Sequence, residues 1–361
     1  MFLNKIVNAP NETTRDVNYL KRSELPVVLY GGAALANLVQ KLLFHNGIQI
    51  NHVVADEKYY VPDSFFNNQL IEQENDVLNL YPKVNAIIAF GNYREKMAEL
   101  SKNPSVERCI FFEPAALQFD FDDYYNTVKK NASELENFYS QLADEHSRNI
   151  MVAFINAKIS GNSEDLANLN INDEQQYFPE FLHLSDDEVF VDIGAFDGDT
   201  ILAFINKTQG KYTKIYAFEP DKNNIKKIEK NTSKFSNIKI IEKGCFSCKK
   251  TLSFQDGMGE SSSVSSQGNV KIDVDAVDNI ISEKVTFIKM DIEGSELEAL
   301  KGAHKTICSN LPRLAVSLYH RSDDFLSIPQ YIYGMNNSYK FYLRHYGSFC
   351  TELVLYAIPG E

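Results

Sequence analysis

A glycine-containing turn rich in aspartates is the strongest candidate site in the chain. In the segment Val189–Thr200 (VFVDIGAFDGDT), an apolar run ends at Asp192, and Gly194 and Gly198 flank the turn into a helix predicted to begin near Asp199. Glycine allows the backbone to approach a ligand that a side chain would keep away. Three aspartates at this turn disfavour a pyrophosphate and favour a cationic ligand that carries an amino group and a sulfonium. The alternative is an acidic turn in which Asp199 only caps the helix.

A second acid follows in the next strand-like run. The segment KIYAFEPD places Glu219 at the end of that run, about one strand-helix-strand step after the glycine turn. A carboxylate at this position accepts both hydrogen bonds from a ribose diol in dinucleotide-binding folds. A solvated loop charge is the alternative, and the preceding acidic turn favours ribose binding.

Candidate groups for proton transfer lie further along the chain. Asp291 follows the run VTFIKMD, and His320 ends the run RLAVSLYH. Ligands of an open α/β sheet lie at the carboxyl ends of its strands, so both residues are expected at one edge. Histidine can remove a proton near neutral pH, and His320 is therefore the first candidate for a general base. A structural histidine is the alternative, and Tyr319 and His345 are weaker candidates.

Acids near Asp291 have a simpler interpretation as well. Glu293 and Glu296 stand where a helix is predicted to begin, and acidic side chains there interact favourably with the helix dipole. Asp291 and Glu293 could also supply oxygen ligands to a divalent metal. Nothing in their spacing requires one, so no metal is predicted.

The alternation of strand-like and helical runs predicts the fold class. From Glu188 onward, strand-like runs alternate with helical patterns, and the last two, YKFYLRHY and TELVLYAI, are separated only by GSFC. A connection this short cannot hold a crossover helix, so these two strands must be antiparallel neighbours. The expected fold is α/β, with a seven-stranded, mostly parallel C-terminal sheet that ends in an antiparallel hairpin. Between its third and fourth strands, the serine-rich stretch 257–270 is predicted to be a mobile loop near the site that covers cofactor or acceptor, and a plain flexible hairpin connection is the alternative.

A smaller α/β unit precedes this sheet. The run PVVLYGG, a helical pattern and the run IQINHVVAD form the strand-turn-helix-strand opening of a Rossmann-like unit. The predicted domains are residues 1–116 for this unit, 117–184 for a helical connector, and 185–361 for the larger α/β domain. The connector is expected to pack over the C-terminal half.

The first turn of the N-terminal unit departs from a dinucleotide motif. In Tyr30–Ala36 (YGGAALA), alanines replace the second and third glycines of G-x-G-x-x-G, and this disfavours the close approach of a pyrophosphate. Asp56 stands at the end of the second strand, where dinucleotide-binding folds place the acid that binds the ribose, so ribose binding is still possible there. The unit resembles Rossmann-like units of other sugar-modifying proteins and is expected to bind an acceptor or to mediate dimerisation. A vestigial nucleotide fold is the alternative.

Three segments together resemble the FkbM family of methyltransferases: VDIGAFDGDT, AFEPD and IKMDIEGSELEALKGA. The resemblance begins at about Leu142, includes LADEHSR and QQYF, and extends to the C-terminus. It implies a class I methyltransferase fold, S-adenosylmethionine as cofactor, and transfer of the sulfonium methyl group to a hydroxyl, often on a sugar or polyketide. It also implies that Asp192, Gly194 and Glu219 hold the amino acid moiety and the ribose of the cofactor.

The resemblance extends these roles to further positions. The stretch IIEKGCFS matches the adenine side, with Lys243, Gly244 and Cys245 as candidate lining, and Asp291 is expected to face the methionine end or the acceptor. The predicted catalytic residues are His320 and Asp291. The predicted cofactor-binding residues are Asp192, Gly194, Ala195, Asp197, Gly198, Thr200, Glu219, Pro220, Gly244, Cys245, Asp291 and Glu293.

Composition restricts the partners of the protein. The net charge of −13 disfavours nucleic acid and anionic lipid. No apolar run approaches the roughly 18 residues that cross a bilayer, and the N-terminus lacks the apolar core of a signal peptide, so a cytoplasmic location is predicted. Five cysteines, of which only Cys245 and Cys248 are close in sequence, make a disulfide framework unlikely.

The sequence therefore predicts an O-methyltransferase that acts on a sugar, a nucleotide-sugar or another hydroxylated metabolite. Two alternatives stay open. One is an NAD-dependent sugar-modifying enzyme that uses the N-terminal unit. The other is a non-catalytic protein that binds S-adenosylmethionine.

Overall fold

A computed structural model of the 361-residue chain describes residues 2–114, 124–170, 176–254 and 270–360. Most of the serine-rich stretch 257–270 and the predicted boundary at 116–117 lie outside these residues. Among the described residues, no helix has both the length and the apolar character needed to cross a membrane.

The N-terminal part contains one six-stranded sheet. Its strands are β1 (Val27–Tyr30), β2 (His52–Ala55), β3 (Phe65–Phe66), β4 (Gln69–Gln73), β5 (Val84–Ile88) and β6 (Val106–Phe111). Its helices are α1 (Glu12–Leu20), α2 (Ala34–His45), α3 (Glu74–Leu80) and α4 (Tyr93–Leu100), preceded by a 3-10 helix, Phe2–Lys5. The strand order is β3-β4-β2-β1-β5-β6, and only the β3–β4 pair is antiparallel. The predicted β1-α2-β2 opening is present.

Four helices connect this sheet to the C-terminal half. They are α5 (Tyr124–Lys130), α6 (Ala132–Gln141), α7 (Glu145–Ser160) and α8 (Glu164–Ala167). Asp144 separates α6 from α7 and caps α7 by accepting a hydrogen bond from the Ser147 amide at 2.7 Å. Phe138 and Phe154 pack against Phe325 of the C-terminal half, so the predicted packing of these helices is confirmed.

The C-terminal half is built on a seven-stranded sheet. Its strands are β7 (Val189–Ile193), β8 (Lys214–Phe218), β9 (Ile238–Ile241), β13 (Phe287–Met290), β14 (Arg313–Ser317), β15 (Tyr339–His345) and β16 (Leu353–Pro359). Their order is β15-β16-β14-β13-β7-β8-β9. Only β16 runs antiparallel to its neighbours, and this confirms the predicted hairpin at the end of a mostly parallel sheet.

Alternating side chains of β7 pack into apolar layers on the two faces of the sheet. Val189, Val191 and Ile193 belong to one core cluster, and Phe190 belongs to the other. Helices cover both faces, which explains why four of the five residues of the strand are apolar. These helices are α9 (Asp199–Lys207), α10 (Lys222–Thr232), α11 (Val277–Ile280), α12 (Glu296–Gly302), α13 (His304–Asn310) and α14 (Asp324–Met335).

A small third sheet was not predicted from the sequence. It consists of β10 (Gly244–Cys245), β11 (Lys250–Phe254) and β12 (Val270–Asp275). Strands β11 and β12 pair antiparallel, and β10 pairs parallel with β12. This sheet carries Gly244 and Cys245 next to the end of β8. All five cysteines are free thiols.

Glu113, just after β6, joins the N-terminal sheet to the C-terminal half. Its carboxylate accepts hydrogen bonds from the Cys350 amide at 3.0 Å and from the Ser163 hydroxyl at 2.6 Å. The rings of Tyr93 and Phe111 stack with that of Phe349 in the same region. The loop between β15 and β16 is therefore held against the N-terminal sheet.

Candidate active site

The turn after β7 has a backbone that only glycine fits. Gly194 has φ 83°, and a Cβ atom there would lie 2.0 Å from the Asp291 carbonyl oxygen. The amides of Gly194 and Ala195 donate to the Phe218 carbonyl at 3.0 and 3.1 Å. Gly198 has φ 90° and immediately precedes α9, which begins at Asp199 as predicted. The turn is thus packed against the ends of both neighbouring strands, β8 and β13.

Asp192 is buried beside a lysine. Its side chain is fully buried, and Oδ1 lies 3.1 Å from Lys289 Nζ, which also donates to the Gly194 carbonyl at 2.7 Å. Within the described chain, neither Asp192 oxygen has a partner with hydrogen-bond geometry. Burial raises the pKa of Asp192 to about 6, although Lys289 lowers it. Lys289 stands in an apolar run and was not predicted as a site residue.

Glu219 follows β8 and lies across the turn from Asp192. It is buried, Oε2 accepts from the Phe196 amide at 3.0 Å, and Oε1 accepts from the Asp221 amide at 2.9 Å. Burial raises the pKa of Glu219, and these backbone hydrogen bonds oppose the rise. The carboxylate is thereby fixed in orientation at the predicted strand end.

The other predicted cofactor-side residues lie on the same edge. Gly244 approaches Pro220, since a Cβ on Gly244 would lie 4.0 Å from Pro220 Cγ. Cys245 is buried, and burial raises its pKa well above the ordinary value. Lys243 is ion-paired with Asp275 at 2.8 Å.

The remaining residues of the glycine turn make local contacts. Ala195 is fully buried, so its side chain belongs to the core. Asp197 accepts from the Asp199 amide at 3.2 Å, and Asp199 accepts from the Thr200 amide at 2.6 Å.

A histidine surrounded by carboxylates lies past the ends of β13 and β14. Strand β14 ends at Ser317, so His320 lies in the following loop rather than at the strand end as predicted. Its Nδ1 is 2.9 Å from Glu296 Oε1, and its Nε2 is 3.4 Å from Asp291 Oδ1 and 3.6 Å from Glu293 Oε2. The structure therefore brings the two predicted catalytic residues together.

Burial and neighbouring charges shift the pKa values of this cluster strongly. Burial lowers the pKa of His320, but Glu296, Asp291 and Glu293 raise it to a net value of about 9. Burial and the neighbouring carboxylates raise the pKa of Glu293 to about 7. At neutral pH His320 therefore carries a proton on both ring nitrogens. It can act as a base there only where a bound group lowers its pKa.

Two further residues of this cluster were missed by sequence reasoning. The Tyr177 hydroxyl donates to Asp291 Oδ2 at 2.6 Å. Glu352 accepts from Tyr319 at 3.4 Å and from Gln176 at 2.7 Å. Tyr177 lies in the QQYF segment, which was recognised without a role, and nothing around Glu352 in the sequence marks it.

His345, one of the weaker candidates for a base, lies in β15 with both ring nitrogens engaged. Nδ1 contacts the Asn170 side chain, and Nε2 donates to the Phe349 carbonyl at 2.7 Å. These contacts hold the β15–β16 loop.

Asp56, the candidate ribose-binding acid of the N-terminal sheet, is ion-paired with a lysine. Lys96 Nζ lies 2.6 Å from Asp56 and 2.6 Å from Glu74, and its side chain is buried. Burial raises the pKa of Asp56, but the hydrogen bonds with Lys96 and Glu74 and the charge of Lys96 together lower it below its ordinary value. The backbone at Gly31 also leaves no space for a side chain, since a Cβ there would lie 2.8 Å from the Ala89 carbonyl oxygen.

The part of the chain that carries this site matches a known family model. Residues 192–343 match the family model described as the methyltransferase FkbM domain. The match covers the three motifs on which the resemblance was based, except for Val191, and it confirms the resemblance over these residues. The C-terminal half of this chain contains a methyltransferase FkbM domain.

Solved structures extend the likeness of the fold. The chain is similar to the methyltransferase FkbM of Methylobacillus flagellatus KT, with a TM-score of 0.80 and 24% identity over 96% of this chain and 94% of that chain. The likeness therefore includes the N-terminal sheet, and at this identity it concerns the fold alone. An rRNA methylase from Streptococcus thermophilus matches with a TM-score of 0.35 and 17% identity, over 50% of this chain and 93% of that chain. No curated protein matches the chain.

Proposed function

We propose that this protein is an S-adenosylmethionine-dependent methyltransferase that methylates a hydroxyl of a sugar, a nucleotide-sugar or another hydroxylated metabolite. One observation carries the cofactor assignment. The buried carboxylate of Asp192, without a hydrogen-bond partner in the described chain, stands next to the Gly194 turn and across from Glu219. Lys289 is an ion-pair partner at 3.1 Å, but neither Asp192 oxygen receives a hydrogen bond from the described residues, so Asp192 favours a ligand that brings a donor.

The residues around the turn fit the parts of this cofactor. Each carboxylate oxygen of Glu219 accepts one backbone hydrogen bond and keeps a lone pair for a ribose hydroxyl. Asp192 would attract the amino group of the cofactor, and Pro220 with Gly244 would line the adenine side. When bound, the cofactor supplies an electrophilic sulfonium methyl group.

Carboxylate side chains form most of the acceptor side of the site. Asp291, Glu293 and Glu352 lie around His320 and Tyr319, and carboxylates accept hydrogen bonds from hydroxyl groups. They also repel anionic groups, so a hydroxylated acceptor is favoured over a carboxylate at the reacting position. Asp291 would orient the acceptor hydroxyl and hold its proton, because orientation contributes much of the rate of such a transfer.

The alternative that relies on NAD is not favoured. Asp56 is engaged by Lys96, so the carboxylate that would receive a ribose diol already has a cationic partner. The Gly31 turn also lacks the second and third glycines of the motif.

Calorimetry with S-adenosylmethionine and S-adenosylhomocysteine tests the cofactor. We expect micromolar binding to the wild type, weakened at least tenfold by Asp192→Asn and by Glu219→Gln. Glu229→Gln on the exposed side of α10 is the matched control and should bind as the wild type does. Unchanged binding in both site variants would refute the assignment of the cofactor site.

Methyl transfer to a panel of hydroxylated sugars and nucleotide-sugars, followed with a labelled methyl group, tests the acceptor class. Transfer to a hydroxyl supports the proposal. Transfer only to nitrogen or carbon acceptors contradicts the O-methylation, and cofactor binding without transfer to any acceptor class favours a binding protein.

A further inference from the structure

His320 has a buried nitrogen that points at carboxylates without a good hydrogen bond. Its side chain is only 6% exposed, and among the described residues Nε2 has no hydrogen-bond partner. Asp291 Oδ1 lies 3.4 Å from this atom and Glu293 Oε2 lies 3.6 Å from it. Both separations exceed the usual range for a nitrogen-to-oxygen hydrogen bond. The ring therefore faces these acids at a distance that a hydrogen bond does not explain.

The other side of the ring is held in place. Nδ1 lies 2.9 Å from Glu296 Oε1, and the same oxygen accepts from the Ile292 amide at 2.9 Å. A carboxylate that receives the Nδ1 proton orients the ring so that a cation can displace the Nε2 proton and bind the lone pair of that nitrogen. Metal-binding histidines commonly have this arrangement, with a carboxylate behind the ring.

A second buried atom in the same cluster also has no partner. Glu296 is fully buried, and its Oε2 has no hydrogen-bond partner within the described chain. Ligand-type atoms of Asp291, Glu296 and His320 all lie within 4.8 Å of one another. Two ligands about 2.1–2.4 Å from a shared ion are separated by roughly 3 to 5 Å, depending on the angle between them. The cluster therefore has the dimensions of a site for one cation.

We propose that His320 Nε2, Asp291 and Glu293 bind one divalent transition-metal cation at the edge of the seven-stranded sheet, with Glu296 holding the ring from behind. The carboxylates of Asp291 and Glu293 with a neutral imidazole balance its charge, and Glu296 adds a further acid on the buried side of the ring. One imidazole among oxygen ligands suits Mn²⁺, Zn²⁺ or Fe²⁺ better than Ca²⁺, which takes oxygen ligands. Binding of the ion is independent of the proposed function. A role for the ion in orienting the acceptor hydroxyl rests on the proposed function.

Titration of the metal-free full-length protein with MnCl₂ tests this site, with bound Mn²⁺ followed by calorimetry and by electron paramagnetic resonance. We expect one equivalent to bind with a dissociation constant in the micromolar range. His320→Gln, Asp291→Asn and Glu293→Gln should each weaken binding at least tenfold. Asp323→Asn is the matched control, because this nearby acid pairs only with Arg321 among the described contacts and should not change Mn²⁺ affinity.

The same preparations separate this proposal from the proposed function. Circular dichroism and S-adenosylmethionine binding are measured on each variant, so a variant that fails to fold is recognised and the other two decide. Folded wild type that binds the cofactor but no Mn²⁺ or Zn²⁺ overturns the metal site and leaves His320 as the cationic centre of an ion cluster. Metal binding that the three ligand variants do not weaken also overturns it. Metal binding without cofactor binding supports the site and refutes the proposed function.

Discussion

Lys289 and Asp192 are opposite residues on neighbouring parallel strands, and their charged atoms lie 3.1 Å apart in the centre of the sheet. The two side chains are 4% and 0% exposed. Lys289 also donates to the Gly194 carbonyl, so one buried cation connects the candidate cofactor acid to the glycine turn. A lysine in the middle of a buried strand is costly unless it is paired, and the pair therefore links the stability of the sheet to the shape of the site.

Removal of either partner should destabilise the protein more than removal of both. Asp192→Asn leaves Lys289 buried without a charged partner and should cost about 3–5 kcal/mol of unfolding free energy, as should Lys289→Met. The double variant should recover most of that loss, because no unpaired charge remains. Urea unfolding at pH 7 measures the four states of this cycle, with the exposed pair variant Asp186→Asn as control. Additive losses in the double variant would refute the coupling.

Substitution by alanine should destabilise the protein to very different extents at two glycines with similar backbone angles. Gly194 has φ 83° and no space for a Cβ, whereas Gly210 has φ 76° and nothing within 4 Å of a Cβ. Gly210→Ala should therefore cost only about 1–2 kcal/mol for the left-handed backbone. Gly194→Ala should cost several kcal/mol more and lower the affinity for S-adenosylmethionine, since the turn must move away from Asp291. Equal losses in thermal unfolding would show that backbone angle alone determines the effect.

The sequence predicts the elements that depend on local pattern. The apolar runs around β7 and β13 and the short GSFC connection before β16 determine strands and a hairpin, because their residue types and spacing allow few alternatives. The small sheet of β10, β11 and β12 was missed because β10 has two residues and its pairing with β12 spans about thirty residues of chain. Short strands that pair over long distances leave no periodic signal.

Prediction of the site divides in the same way. Asp192, Gly194 and Glu219 follow strand ends in recognisable motifs, so their neighbourhood could be predicted. Tyr177 reaches Asp291 from the connector, and Glu352 reaches Tyr319 from the loop before β16. These contacts arise from tertiary packing between segments more than thirty residues apart, and a single sequence contains no measure of that packing.

Cofactor binding should weaken in mildly acidic solution. Burial raises the pKa of Asp192 from 3.8 to about 6, so the carboxylate form that attracts an amino group dominates only above that pH. Affinity should fall up to about tenfold for each pH unit below 6, because binding then requires loss of a proton. Calorimetry from pH 5 to 8 measures this. Glu219 also has a raised pKa, so Asp192→Asn should reduce the pH dependence without abolishing it. An unchanged pH profile in that variant would exclude Asp192 as the titrating group.

The same shift has a consequence for stability without ligand. The pKa of Asp192 in the folded protein lies above its unfolded value, so the folded state binds the extra proton between about pH 4 and 6. The contribution of Asp192 to unfolding free energy therefore decreases as the pH rises through that window. Urea unfolding of the wild type and of Asp192→Asn at pH 4.5 and 7 should show that the stability of the wild type relative to the variant falls as the pH rises. A relative stability of the wild type that rises with pH would contradict this assignment.

Lys96 should be required for the N-terminal sheet rather than for the cofactor site. Its ammonium group lies 2.6 Å from both Asp56 and Glu74, so Lys96→Met leaves two carboxylates close together without a cation. We expect a loss of about 3 kcal/mol or more at pH 8. The loss should be smaller at pH 5, because like charges raise the pKa of one carboxyl and its protonation relieves the repulsion. The exposed variant Lys83→Met is the control, and S-adenosylmethionine binding should persist in both. If Lys96→Met lost cofactor affinity while the protein stayed folded, the separation of the N-terminal cluster from the methyltransferase site would be wrong.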